Sequence, residues 1–122
     1  MASPALGPIY RNLADIMKNT AAEITKEVDK LRRKIRARLP KKMGDRFDTE
    51  WKNASNTKGR RRAAAKVLAK VITAIEDSGE AVNPDFAGAE SELLTLIDML
   101  RTLEDMENAG KHFDDMAKAY GS

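Results

Sequence analysis

The residues of this chain best equipped for chemistry are cations. Between residues 30 and 70 stand 16 Lys or Arg against three Asp or Glu. Side chains of that kind and density hold phosphates, carboxylates or anionic surfaces; they do not by themselves make or break bonds. The first run is Lys30-Leu31-Arg32-Arg33-Lys34-Ile35-Arg36-Ala37-Arg38-Leu39-Pro40-Lys41-Lys42, and the second is Lys58-Gly59-Arg60-Arg61-Arg62.

Groups suited to catalysis are sparse. The single histidine, His112, has no partner at ligand or relay spacing, and it reads as an ordinary surface or capping residue. The carboxylates Glu104, Asp105, Glu107, Asp114 and Asp115 lack both the Glu-x-x-His spacing of helical di-iron sites and the acidic loop of an EF-hand, so they read as a solvated face. No glycine-rich phosphate loop, nucleophile elbow or HExxH helix occurs. The expectation is a protein that is not an enzyme, with no catalytic residues, no metal and no cofactor.

The elements that must position the cations follow from apolar spacing. Leu13, Ile16, Thr20, Ile24, Val28, Leu31 and Ile35 recur at three- and four-residue steps and predict a long first helix from about Ile9, stopped by Pro40. After a turn from Pro40 to Gly44, Phe47, Trp51 and Ala54 share one face of a short second helix. A third helix is expected from Thr57 to Ser78, with Ala64, Val67, Leu68, Val71, Ile72 and Ile75 inward and Gly79 as its cap. Asn83-Pro84 opens a fourth, seamed by Ala89, Leu93, Leu96, Ile97, Leu100 and Leu103. Gly110 is expected to break it, leaving Phe113, Met116 and Tyr120 on a final short helix.

The fold class is therefore all-α: an up-and-down helical bundle of three long helices plus a short second helix and a short C-terminal helix. The 122 residues suit a single domain, with residues 1–8 as an N-terminal tail and Gly121-Ser122 as a cloning remnant. The absence of cysteine removes disulfides and thiolate metal sites, and no signal-peptide pattern or apolar run of membrane-spanning length is present, so a cytoplasmic location is expected. Asn53-Ala54-Ser55 matches a glycosylation pattern but carries no weight without a secretory signal.

In such a bundle the end of the first helix and the start of the third share a pole. Only Leu31 and Ile35 sit at core spacing in the first run, so that end is expected to project into solvent. Helix C-termini favour cations, but Lys58, Arg60, Arg61 and Arg62 fall at a helix start, where the dipole is already positive. Unless nearby acids compensate, that placement points to an external anion. The expected anion-binding set is Arg32, Arg33, Arg36, Arg38, Lys41, Lys42, Lys58, Arg60, Arg61 and Arg62, with Leu39, Met43 and Trp51 as an apolar tip.

Three partners compete for that patch. Nucleic acid is favoured, because arginine forks pair with phosphates and their planes stack on bases. No helix-turn-helix, zinc finger or RNA-recognition signature accompanies it, so sequence-specific readout is not supported. An anionic membrane is second, with the basic tip inserting Leu39 between headgroups. In outline, a helical bundle with the pair Arg38-Leu39 at a basic tip is similar to the membrane-localisation four-helix bundles of some bacterial toxins and secreted effectors. Third is an acidic protein, or self-association into a homo-oligomer, since residues 71–122 carry three Lys or Arg against 12 Asp or Glu.

Overall fold

The computed structural model of the chain describes residues 6–121 and is built of four α-helices, with no strand among the described residues: α1 (Leu6–Arg38), α2 (Lys41–Asn53), α3 (Thr57–Ser78) and α4 (Pro84–Ala119). The protein is an all-α helical bundle. No helix among the described residues is long and apolar enough to cross a membrane. Of the expected N-terminal tail, residues 1–5 lie outside the described residues, while Leu6, Gly7 and Pro8 are already helical; Ser122 also lies outside.

Local chemistry sets the helix ends. Pro40 adopts φ −55° and ψ 150°, which ends α1 at Arg38. The turn expected over Pro40 to Gly44 is absent, because α2 starts at Lys41 directly after the proline, whose fixed φ already suits a helix entrance. Asn56 caps α3 by accepting a hydrogen bond from the Gly59 N–H at 2.8 Å. Gly79 closes α3 at φ +62°, in the left-handed region where glycine is least strained. The Asn83 side chain likewise accepts from the Asp85 N–H at 2.9 Å to open α4.

The break expected at Gly110 does not occur, and α4 runs on through residue 119. Gly110 is buried against α1, where an added Cβ would lie 3.4 Å from the Met17 Cβ. Close packing there outweighs the roughly 1 kcal/mol of glycine's poor helix propensity.

Although the length suits one domain, the chain groups into two compact units, one comprising residues 27–101 and the other residues 1–26 with 102–122. The core of the first contains Ile35, Phe47, Val71, Leu93, Leu96 and Leu100, all fully buried. Leu39, Ala64, Val67 and Leu68 join them, whereas Ile72, expected inward, is exposed. In the other unit Ala14, Leu103 and Ala117 are buried, and the Tyr10 ring stacks on Phe113 and Tyr120 at centroid distances of 6.2 and 5.7 Å. Among the described residues two helical segments build this unit, each covering one narrow stripe, and Ile9 and Ile16 are exposed. An Arg11–Asp114 ion pair ties the segments together, and the hydrogen bond from Arg11 holds the Asp114 carboxyl below the usual aspartate range.

Candidate anion-binding surface on α2 and α3

The arginines at the end of α1 are largely committed to the protein's own carboxylates. Arg32 donates from Nη1 to Asp48 Oδ1 at 2.9 Å and from Nη2 to Asp29 Oδ1 at 3.2 Å. Arg33 also pairs with Asp29. Arg36 donates from Nε to Asp48 Oδ2 at 3.0 Å and from Nη2 to Asp45 Oδ1 at 2.5 Å. Arg38 reaches α4, donating from Nε to Glu92 Oε1 at 2.7 Å, with Nη1 3.6 Å from Asp85. Burial works to raise the Asp29 pKa, but hydrogen bonds and charge from Arg32 and Arg33 outweigh it and hold the carboxyl below its ordinary value.

This end of α1 therefore does not project into solvent as an uncompensated cluster. Arg32, Arg36 and Arg38 keep only a third or less of their side chains exposed. Two glycines make room for them: a Cβ at Gly44 would fall 2.6 Å from the Arg36 Cζ, and one at Gly88 would fall 2.7 Å from the Arg38 Cζ.

The apolar tip is also corrected. Leu39 is only 6% exposed, because the residue before Pro40 turns inward where α1 hands over to α2. Trp51 is likewise buried, and its ring lies under two guanidiniums, with Arg32 Cζ at 5.8 Å and Arg60 Cζ at 5.6 Å from its centroid. Met43 remains half-buried at the surface. Within the second run, Arg60 is spent on Trp51 and Arg61 is half-buried and itself engaged. Lys41, Lys42, Lys58 and Arg62 are exposed.

What remains is a surface that runs along α2 and α3. Lys58, Arg62, Lys66 and Lys70 follow one another at four-residue intervals on α3, all exposed. At 1.5 Å per residue each step is about 6 Å and the row about 18 Å long. The neighbouring α2 adds exposed Lys42 and Arg46. Between the two helices lies a cleft of about 300 Å³ lined by Met43, Phe47, Val67 and Ala69 on its apolar side and by Arg46, Lys66, Lys70 and the acid Glu50 as its charged groups. A second hollow, of about 290 Å³, continues past Glu50 to Arg62 and Gly59. Glu50 on α2 stands beside this row, its carboxylate 3.9 Å from the Lys66 ammonium.

Arg46, Lys66 and Lys70 were not among the residues expected from sequence. For Lys66 and Lys70 the signal was the four-residue spacing of cations from Lys58 along α3, which total charge conceals, and Arg46 follows Lys42 at the same interval on α2. Conversely, Asp45 and Asp48, three apart on α2, and Asp29, three and four before Arg32 and Arg33, marked which arginines would be neutralised. Among the described residues no group of three His, Cys, Asp or Glu side chains is placed to hold a metal ion. His112 is exposed on α4, its ring 5.8 Å from that of Phe113.

No family model, no curated protein and no solved structure matches the chain.

Proposed function

We propose that the chain is a non-enzymatic binding domain that holds nucleic acid through phosphate contacts on the α2–α3 face. The observation that carries this reading is the exposed row Lys58, Arg62, Lys66 and Lys70. Like charges four residues apart on a helix cost about 0.2–0.5 kcal/mol per pair, so three successive repulsive steps oppose helix stability. The row also starts at the helix N-terminus, where cations are disfavoured by a few tenths of a kcal/mol to about 1 kcal/mol each. A polyanion laid along α3 relieves both terms at once. The steps of about 6 Å give it a regular line of charge to follow.

The membrane alternative relied on Leu39 entering the headgroup layer beside Arg38. With Leu39 in the core and Arg38 paired to Glu92, that end of α1 lacks the apolar wedge such binding uses.

The test is fluorescence anisotropy of a labelled oligonucleotide titrated with the protein at low salt. Non-specific phosphate contacts predict a Kd of about 10⁻⁴ to 10⁻⁶ M near physiological salt, tighter below it. The double variant Arg62→Glu with Lys66→Glu is expected to remove binding while keeping the helical circular dichroism. Undiminished binding by that folded variant, or no binding by the parent, would overturn the proposal.

A further inference from the structure

Resting on the phosphate reading above, we infer that the cleft between α2 and α3 receives an unpaired nucleobase, which makes single-stranded nucleic acid the ligand this face selects. Three observations converge on it. The cleft is mainly apolar, with the half-buried Met43 at its surface and Phe47 and Val67 beneath, so charge alone does not explain its shape. It opens beside Lys66 and Lys70, the C-terminal half of the cation row, so a strand held there by its phosphates brings its bases to the opening. Arg46 and Met43 line both this cleft and its continuation toward Lys42, placing a guanidinium plane and a thioether at one mouth.

These are groups a base can use. A guanidinium plane stacks on a heteroaromatic ring, and methionine sulfur packs favourably against ring edges. A volume of about 300 Å³ stands at the lower end of ligand pockets, suited to one ring system. Trp51 is not the platform, since it is only 8% exposed and already covered by Arg32 and Arg60. A duplex offers the same phosphates but keeps its bases stacked and paired, so it meets the cation row and leaves the cleft unfilled.

The experiment compares, by anisotropy at one salt concentration, a single-stranded oligonucleotide, the duplex of the same sequence, an abasic strand of equal length, and poly-glutamate as a competitor. The single strand is expected to bind about three- to tenfold tighter than the abasic strand, and tighter than the duplex. Arg46→Lys, which keeps the charge and loses the plane, is expected to bring the base-bearing strand down to the abasic level while leaving the abasic strand unchanged. Equal affinities for base-bearing and abasic strands would overturn the base site and leave the phosphate reading standing. Binding to none of the strands would overturn both, and so would poly-glutamate that competes as well as the strand. The wild-type comparison needs no variant, so a fold defect in Arg46→Lys cannot obscure the result.

Discussion

Arg38, the last residue of α1, donates a 2.7 Å hydrogen bond to Glu92 on α4, its guanidinium lying over Gly88, where an added Cβ would fall 2.7 Å from the Arg38 Cζ. The Glu92 side chain is 15% exposed and that of Arg38 33%, so the pair is partly withdrawn from water. A cation that total charge would assign to a ligand surface is here a strut between two helices. Which arginines are struts and which stand exposed decides where this protein can bind anything.

Glu92→Ala leaves Arg38 half-buried without its main acceptor. The expected loss is about 1–3 kcal/mol, the range for truncating one side of a charge-assisted hydrogen bond. Urea unfolding checks it, and an unchanged midpoint would mean that Asp85, 3.6 Å from Arg38, takes over the contact.

Arg62→Ala removes a cation from the centre of the α3 row. Stability is expected to hold or rise by about 0.2–0.5 kcal/mol for each like-charge pair removed, while oligonucleotide affinity falls. Thermal unfolding and anisotropy on the same sample separate the two effects. A marked loss of stability would make Arg62 a structural cation instead.

Acid should unfold the domain through its carboxylate–arginine pairs. Because the Asp29 pKa is depressed in the folded state, its contribution is fully present above the ordinary value of 3.8 and disappears as pH falls through the lowered one. Urea midpoints between pH 7 and 2.5 are expected to be level to about pH 4.5 and to fall below the ordinary aspartate value. Asp29→Asn should shallow that fall, and a midpoint rising on acidification would reverse the sign of the linkage.

Leu96 is fully buried, and Leu96→Asp places an unpaired charge in the core. Loss of the cooperative transition is expected, since an unpaired buried charge costs more than a marginally stable domain can absorb. A soluble, cooperatively melting variant would contradict the assignment of the α4 seam.

The helical course of the chain was legible because its punctuation is strong. Pro40, Asn56, Gly79 and Asn83-Pro84 each act through backbone geometry, and α3 spans Thr57–Ser78 as its spacing implied. Less could be read where tertiary packing outweighs local preference, as at Gly110, whose missing side chain serves a close contact with Met17 and not a helix break. Leu39 looked exposed because cations flank it, yet the residue before the proline is the one the turn buries. In the site, the basic character of residues 30–70 was legible, but which cations stay exposed was not: Lys66, Lys70 and Arg46 lay outside the expected set. The fate of the arginines depended on Asp45, Asp48 and Glu92, and on two glycines that matter only once helices are side by side.

The most direct test of the central claim is the salt dependence of oligonucleotide binding, measured for the parent chain and for Arg62→Ala with Lys66→Ala. If the four cations of the α3 row each engage a phosphate, the slope of log K against log salt should be close to −3 for a single strand and shallower by about 1.4 in the double variant. A parent slope near zero, or a slope the double variant leaves unchanged, would contradict the assignment of phosphate binding to this row.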